Sequence, residues 1–276
     1  MIKFTKMHGA GNDYIYVYTP ECPIPNPSEA SIAWSRPHFA IGSDGLILIG
    51  KSEVADFSMH IYNNDGSEAM MCGNGTRCVG KYVYDHHLTD KTTISLETLA
   101  GIKIIHLRIE NGVCTGATVD MGEPALENTK QFLTKGLESI RENIYTVGGY
   151  DGTYVCMGNP HFVIFVPDVM DLDVETEGRK LEFNPAFPER CNIEFATVRP
   201  DGSIRMRVWE RGSGITLACG TGACATAVAA AVTGRRGDES DVEMDGGTLH
   251  IRWDRENNHI FMKGPAETAF EGEIKV

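Results

Sequence analysis

Short runs of apolar residues, some alternating with polar ones, predict many β-strands along the chain. Eight segments rich in β-branched and aromatic residues fit strands of a sheet. They are residues 14–18, 46–49, 57–62 and 102–109 in the first half, and residues 162–166, 204–209, 249–253 and 259–263 in the second. At the N-terminus, Ile2 and Phe4 alternate with polar residues as in a half-buried strand.

Helical patterns are fewer. They lie around residues 28–34, from near Asp168, and after two cysteines that are flanked by glycine. The clearest covers residues 223–232 and stops at Thr233-Gly234, which suits a helix C-cap. Because its residues are small and apolar nearly all round, we expect this helix to be buried. The patterns together predict a mixed α/β (α+β) fold with strand-rich halves, each wrapped around a central helix.

Length and composition suit a globular protein with two domains. The chain has 276 residues, of which 42% are hydrophobic and 23% charged, so each half can bury a core of its own. The net charge of −13 argues against general binding of nucleic acids or anionic membranes, which requires clustered Lys and Arg. We find no signal peptide and no run of 18 apolar residues, and therefore expect a cytoplasmic protein without a membrane span.

A cysteine motif occurs twice. Cys72 opens C-G-N-G-T-R-C and Cys219 opens C-G-T-G-A-C, 147 residues later. Two further pairs share this offset: Asn12 (G-A-G-N-D) with Asn159 (M-G-N-P-H), and Asn63 (Y-N-N-D-G-S) with Glu210 (W-E-R-G-S-G). Three matched pairs indicate a duplicated half, with a site where the two pseudo-symmetric halves meet.

The boundary between the halves is predicted within residues 118–124. The first domain would cover residues 1–118, completed by residues 264–276, and the second would cover residues 119–263. Residues 125–150 show no clear pattern.

Each cysteine motif suits acid–base chemistry at the start of a helix. A helix N-terminus offers unpaired N–H groups and the positive end of the macrodipole, and glycines let a ligand approach. A cysteine there can have a lowered pKa, and the same N–H groups can bind a carboxylate. If two such helix ends faced one α-carbon, one thiolate could remove its proton while the other thiol protonated the opposite face. That reaction is a racemisation or an epimerisation.

The other cysteines are predicted to be structural. Cys78 and Cys224 follow their lead cysteines by one to two helical turns and are expected in the core. Cys22, Cys114, Cys156 and Cys191 are expected to be buried or inert, and most thiols reduced. No C-x-x-C occurs, which counts against a thioredoxin-type or zinc-ribbon site, and we expect no metal.

Polar residues near the motifs fit the binding of a zwitterion. Arg211 can bind a carboxylate with two hydrogen bonds, and Glu210 can bind an ammonium group. His161, two residues after Asn159, fits either a structural hydrogen bond or catalysis. The amides of Asn12, Asn63, Asn159 and Asn192 could form a polar cage for a ligand with two amino-acid ends.

Four motifs resemble those of the diaminopimelate epimerase family. They are F-T-K-M-H-G-A-G-N-D-Y, N-N-D-G-S-E-A-M-M-C-G-N-G-T-R-C, G-N-P-H-F-V and W-E-R-G-S-G-I-T-L-A-C-G-T-G-A-C-A, and they span residues 4–226 in the family's order. The resemblance implies a homodimeric, cofactor-independent enzyme that interconverts LL- and meso-2,6-diaminopimelate on the lysine and peptidoglycan route. It also implies two pseudo-symmetric domains with the ligand in the interdomain cleft.

The resemblance also assigns roles to residues. Cys72 would be the proton donor and Cys219 the acceptor from the LL to the meso isomer, with the roles exchanged in reverse. His161 and Glu210 would tune the cysteines. The backbone at Gly73, Asn74, Gly220 and Thr221 would hold the reacting carboxylate. Asn12, Asn63, Asn159, Asn192, Glu210 and Arg211 would orient the substrate and read its distal centre.

Two positions depart from the family pattern. Ile215 stands where E-R-G-x-G-E-T usually has its second Glu, and Gly45 stands where some members have a ligand-contacting Gln. A proline-racemase-like enzyme of the same architecture is therefore an alternative. A non-enzymatic thiol or metal protein is a further alternative, although the cysteine spacings give no normal zinc set. A racemase dependent on pyridoxal phosphate is another, but the doubled cysteine turns would then have no purpose.

Overall fold

A computed structural model describes residues 1–275 of the chain; Val276, the last residue of the predicted first domain, lies outside the described residues. The strands before residue 121 are β1 (Ile2–Gly9), β2 (Asn12–Tyr18), β3 (Gly45–Gly50), β4 (Phe57–Asn63), β5 (Glu68–Ala69), β6 (Thr93–Thr98), β7 (Gly101–Glu110) and β8 (Val113–Asp120). The helices there are α1 (Pro27–Trp34) and α2 (Gly73–Asp85).

The remaining strands are β9 (Ser139–Arg141), β10 (Ile144–Val147), β11 (Tyr150–Cys156), β12 (Pro160–Phe165), β13 (Asn192–Val198), β14 (Ile204–Glu210), β15 (Gly214–Thr216), β16 (Glu239–Met244), β17 (Gly247–Asp254), β18 (His259–Pro265) and β19 (Glu267–Ile274). The helices there are a 3-10 turn (Val169–Asp171), α3 (Val174–Glu182) and α4 (Gly220–Val232). Two compact units result: the first unit is residues 1–120 with residues from 263 onward, and the second unit is residues 121–262.

In the sheet of the first unit, the spatial order of the strands differs from their order along the chain. β19 pairs with β1, and β1 with β2, both antiparallel, and β2 runs parallel to β3. β3 and β4 are antiparallel, β4 and β6 are parallel, and β6, β7 and β8 follow as an antiparallel meander. Ile15, Val17, Leu46 and Leu48 form a buried cluster in this unit together with Trp34 of α1. Burial of each such side chain contributes about 1.5–3 kcal/mol.

The second unit repeats this order. β10 and β11, β11 and β12, and β13 and β14 are antiparallel pairs, whereas β12–β13 and β14–β16 are parallel. Phe132 stacks on Tyr154 and Phe187 within its core. Helices α1 and α3 begin 147 residues apart, as do α2 and α4. The predicted duplication is therefore confirmed by the topology of the two units, each considered alone.

Most predicted elements are confirmed, with ends shifted by a few residues. The helix expected over 223–232 begins at Gly220 and ends at Val232, followed by Gly234 with φ +69°. The helix expected from near Asp168 is corrected. Asp168 caps only the 3-10 turn, and α3 begins at Val174, because Asp173 accepts a hydrogen bond from the Thr176 N–H and forms the actual N-cap.

The four α-helices among the described residues are at most 13 residues long. None is long and apolar enough to cross a membrane.

Candidate active site

Cys72 caps helix α2. Its backbone is extended (φ −136°, ψ 115°), and its Sγ accepts the N–H of Gly75 at 3.4 Å. The sulfur thus takes the place that Ser, Asn or Asp oxygens usually hold at an N-cap. A Cβ on Gly75 would stand 2.6 Å from Cδ1 of Ile47, so a side chain there would require Ile47 to shift. The cysteine and glycine of the motif therefore build one compact helix end.

Two predicted binding residues lie beside Cys72. Its Sγ donates to Oδ1 of Asn12 at 3.2 Å, and Nδ2 of Asn74 donates to the same oxygen at 3.3 Å. The amide of Asn12 is held in turn by Oδ2 of Asp44, at 2.7 Å from its Nδ2. Fully buried Arg77 donates to Oδ1 of Asn74 at 2.8 Å. The amides next to the thiol are therefore oriented by charged groups behind them.

Asp44 is a half-buried carboxyl at the start of this chain of contacts. Burial raises its pKa, although hydrogen bonds from the Asp13 N–H and from Asn12 act in the opposite direction. Sequence inspection did not select Asp44, because one acid between Ser and Gly in a loop is an ordinary turn residue.

Asn63 lies at the end of β4, where its Nδ2 donates to Oγ of Ser67 at 3.0 Å. Gly45 pairs with it across the sheet. A Cβ on Gly45 would stand 2.2 Å from the backbone oxygen of Tyr62, so the departure from Gln at this position is explained by a backbone that admits only glycine.

Cys219 caps helix α4 in the same way. Its backbone is extended (φ −122°, ψ 109°), its Sγ accepts the N–H of Gly222 at 3.4 Å, and Oγ1 of Thr221 lies 3.5 Å from the sulfur. Unlike Cys72, which is half-buried, Cys219 is only 6% exposed.

Burial raises the pKa of the Cys219 thiol well above its ordinary value, and the charges of Glu210 and Glu194 raise it further. The lowered pKa expected at a helix N-terminus is thus wrong for Cys219. Loss of hydration and two nearby carboxylates outweigh the helix dipole, which acts only over the first turn. The Glu210 carboxyl is hydrogen-bonded to Cys219 and to Thr216, and burial raises its pKa.

His161 is fully buried, and its Nδ1 lies 2.6 Å from Oε1 of Glu194, which is also fully buried. Its Nε2 lies 3.0 Å from Oδ1 of Asn159, and Nδ2 of Asn159 donates to Oγ1 of Thr221 at 3.4 Å. Sequence inspection missed Glu194. The only signal was the 147-residue offset, at which its counterpart is Ile47.

Asn192 and Arg211 are joined to each other. Oδ1 of Asn192 accepts the backbone N–H of Arg211 at 2.9 Å, and its Nδ2 donates to the Pro160 oxygen at 2.8 Å. The Arg211 guanidinium donates to the Glu189 oxygen at 2.9 Å. Ile215 lies on β15, paired with Trp209 of β14, and is 41% exposed.

The structure therefore forms two clusters from the predicted site residues. In the first unit, Asn12 and Asn74 meet Cys72, whereas Asn63 binds Ser67. In the second unit, Glu210, Thr221, Asn159 and His161 form one connected set around Cys219. Gly73 and Gly220 are the first residues of α2 and α4.

The remaining thiols differ in burial, and Cys22 and Cys156 are half-buried. Cys78 and Cys224 are fully buried, which confirms their place in the core, and burial raises the pKa of Cys78 to about 11. None of the eight cysteines, all within residues 1–275, forms a disulfide, and Cys114 and Cys191 are buried as well. Within residues 1–275, no group of three or more His, Cys, Asp or Glu side chains is arranged to hold a metal ion.

The sequence profile of the diaminopimelate epimerase family matches residues 4–127 and 153–269. The chain belongs to this family. A diaminopimelate epimerase from Phocaeicola vulgatus is 59% identical over all of this chain and 99% of its own length. Another, from Methanococcus maripaludis strain C5, is 50% identical over the full length of both chains. This member of the diaminopimelate epimerase family is accordingly an enzyme, an isomerase of the epimerase type.

Solved structures of other proteins share the fold of this family member. A hydroxyproline epimerase from Agrobacterium vitis aligns with a TM-score of 0.71 and 14% identity, over 98% of this chain and 91% of that one. A phenazine biosynthesis protein from Bacillus anthracis aligns with a TM-score of 0.71 and 17% identity, over 100% and 99% of the two chains. These likenesses confirm the mixed α and β fold class.

Glu210 should make the stability of the epimerase depend on pH. The pKa of Glu210 in the folded protein lies above the ordinary 4.5, so its protonated carboxyl stabilises the fold. This contribution is complete at a pH below the pKa of the unfolded state. It is lost as the pH rises through the pKa of the folded state. We expect Glu210→Gln to gain free energy of unfolding relative to wild type as the pH rises through this window, in urea unfolding at a series of pH values. The exposed Glu175→Gln serves as the control. Parallel pH profiles for wild type and Glu210→Gln would contradict the prediction.

Proposed function

We propose that this protein interconverts LL- and meso-2,6-diaminopimelate, with Cys72 and Cys219 as the two acid–base groups at one α-carbon. One observation carries the proposal: each thiol caps a helix by accepting the N–H three residues later, at positions 147 residues apart. Membership of the diaminopimelate epimerase family, and relatives of that name at 50–59% identity over the whole chain, support the substrate.

The reaction consists of two balanced proton transfers. From the LL isomer, the Cys219 thiolate takes the α-proton, so that an S–H bond forms as the C–H bond breaks and the electron pair moves toward the carboxylate. The Cys72 thiol then delivers its proton to the opposite face of the carbon and becomes a thiolate. The roles are exchanged for the meso isomer. The proposal requires that the two sulfurs approach the α-carbon from opposite faces.

The weak acidity of an α-carbon makes charge stabilisation the main task of the site. We assign it to the first N–H groups of α2 and α4, at Gly73-Asn74 and Gly220-Thr221, which would hold the reacting carboxylate. The raised pKa of Cys219 fits its proposed role, because a thiolate with a high pKa is the stronger base toward a carbon acid.

The distal end of the substrate needs recognition of a second amino-acid group. We assign this to the polar side chains near the strand ends of both units. They are Asn12, Asn63, Asn159, Asn192, Glu210 and Arg211. Arg211 is the cation of the set, and its guanidinium would exchange the Glu189 carbonyl for the substrate carboxylate.

Turnover in deuterated water tests the function directly. Wild-type protein given LL-diaminopimelate should yield the meso isomer with deuterium at the inverted α-carbon, because the donor thiol has exchanged with solvent. L-proline and trans-4-hydroxy-L-proline belong in the same panel, since a hydroxyproline epimerase shares the fold. Turnover of either one, without turnover of diaminopimelate, would replace the proposal with the proline-racemase-like alternative.

The place on the lysine and peptidoglycan route, the homodimer, the cytoplasmic location and the independence from pyridoxal phosphate stay predictions.

A further inference from the structure

Glu194 on β13 is a buried acid that the proposed reaction leaves without a role. Its side chain is fully buried, and among residues 1–275 its Oε2 has no hydrogen-bond partner. Burying a carboxylate costs free energy even when it is paired, so a buried ion pair is a poor source of stability. An acid retained in such a place points to a task in the chemistry of the neighbouring site.

An unbroken series of contacts leads from Glu194 to the sulfur of Cys219. Oε1 of Glu194 lies 2.6 Å from Nδ1 of His161, and Nε2 of His161 lies 3.0 Å from Oδ1 of Asn159. Nδ2 of Asn159 donates to Oγ1 of Thr221 at 3.4 Å, and that oxygen lies 3.5 Å from the sulfur. Both ring nitrogens of His161 are thus within hydrogen-bond distance of an oxygen, so the ring is held from both sides.

The carboxylate also lies close to the helix end that carries the thiol. A Cβ placed on Gly222 would stand 2.8 Å from Oε1 of Glu194 and 3.3 Å from Sγ of Cys219. The N–H of Gly222 is the group that binds this sulfur. Charge on Glu194 is therefore felt at Cys219 through space as well as through His161, in agreement with its part in raising the pKa of the thiol.

The first unit contains no equivalent of this acid. The residue 147 positions before Glu194 is Ile47, which faces Gly75 as Glu194 faces Gly222. The residue 147 positions before His161 is Tyr14. In the first unit, Asn12 beside Cys72 donates directly to a carboxylate, Asp44, at 2.7 Å, with no histidine between them.

The charges around the two thiols differ accordingly. Cys219 is faced by Glu210 from β14, Glu194 from β13 and His161 from β12, while α4 contributes the neutral Thr221. Cys72 is faced by the amides of Asn12 and Asn74. Behind those amides lie charges of opposite sign, Asp44 and Arg77.

We propose that Glu194 is a positioning residue of the epimerase: through His161 it orients Asn159 and Thr221 toward Cys219, and its charge holds the proton on that thiol. The inference rests on the proposed function, in which Cys219 is one of the two acid–base groups. It deepens that function by placing beside Cys219 a buried acid that the repeat at Cys72 lacks, where Ile47 takes its position.

The titration of Cys219 tests this role without any substrate. In a Cys72→Ala background, the rate of alkylation of Cys219 by iodoacetamide is followed against pH by mass spectrometry. We expect Glu194→Gln, which keeps the shape but removes the charge, to lower the midpoint by about one pH unit or more. Glu194→Asp should keep the parent midpoint. Glu243→Gln, which removes a carboxylate paired with Arg199 on another face of the unit, should leave it unchanged.

Epimerisation provides the second readout, in proteins that keep both cysteines. Glu194→Gln should slow turnover about tenfold or more, the factor carried by one charge-assisted hydrogen bond, whereas Glu243→Gln should not. A midpoint for Glu194→Gln equal to that of the parent would overturn the proposal, as would equal turnover. A residue that only supported the fold would change activity without moving the midpoint.

Two further outcomes keep the proposal open to refutation. If Glu194→Gln does not fold, the alkylation midpoint of Cys219 in the Cys72→Ala parent tests the proposal alone. A midpoint at or below that of an ordinary cysteine thiol would overturn the role of Glu194. If the midpoint moves as expected but diaminopimelate is not turned over, the role of Glu194 at the thiol is supported and the substrate assignment fails instead.

Discussion

Replacing either Cys72 or Cys219 by alanine is expected to reduce epimerisation at least 10²–10⁴-fold, the range that one positioned acid or base supplies. Each direction of the proposed reaction needs a thiolate on one face and a thiol on the other, so neither cysteine can replace its counterpart. Conversion of each isomer, with incorporation of solvent deuterium at the α-carbon, measures the loss in both directions.

Serine variants separate chemistry from folding. Ser is a good helix N-cap, so Cys72→Ser and Cys219→Ser should keep the ends of α2 and α4 while replacing each thiol by a far less acidic hydroxyl. Thermal unfolding near the wild-type temperature, together with lost turnover, is the expected combination. Cys22→Ser, at a half-buried cysteine outside both clusters, is the matched control and should remain active. Unchanged turnover in either alanine variant would exclude the two-base mechanism.

Gly45→Ala is expected to destabilise the fold by about 3 kcal/mol or more, the upper end of the cost of overpacking. Its Cβ would stand 2.2 Å from the Tyr62 oxygen and 3.0 Å from Cα of Asn63, so backbone rather than a flexible side chain would have to move. β3 is an inner strand, hydrogen-bonded to β2 on one side and to β4 on the other, and has little freedom to shift.

Chemical denaturation of the variant and a matched glycine measures this effect. A Cβ on Gly237 would meet nothing within 4 Å, so we expect Gly237→Ala to change the free energy of unfolding by no more than about 0.5 kcal/mol. Equal stability of the two variants would contradict the close approach of strands at Gly45. Because Asn63 pairs with Gly45, the same change should also disturb that predicted binding residue.

The helices after Cys72 and Cys219 could be predicted because short-range chemistry determines them. A capping side chain, two glycines and a run of helix-forming residues act within a few positions. Strands were predictable for a similar reason, either from continuous apolar residues, as in 46–49, or from alternating apolar and polar residues, as in 204–207. Among elements missed, β9 and β10 lie in a stretch of mixed polarity that no apolar run marks, although they pair with each other and with the neighbouring β11.

Strand β13 shows why the candidate site was only partly predictable. It reads N-I-E-F-A-T-V, and its acid breaks the apolar pattern that would have marked a buried strand. Glu194 is buried because tertiary structure brings His161 to it from β12, a pairing that no local pattern encodes. The duplicated motifs identified the thiols and the amides beside them. The difference between the halves required the structure, in which Ile47 lies against Gly75 where Glu194 lies against Gly222.

Helix α4, which carries Cys219, contains six alanines and two glycines among its 13 residues. Such side chains have no rotamers to lose on folding, and the β-branched Val228, Val232 and Thr226 have few. The helix that carries the thiol therefore loses little side-chain conformational entropy when the protein folds. Rotation about the Cα–Cβ bond of Cys219 moves its sulfur, so neighbours such as Thr221 and Glu210 can set the position of the sulfur without repacking the helix.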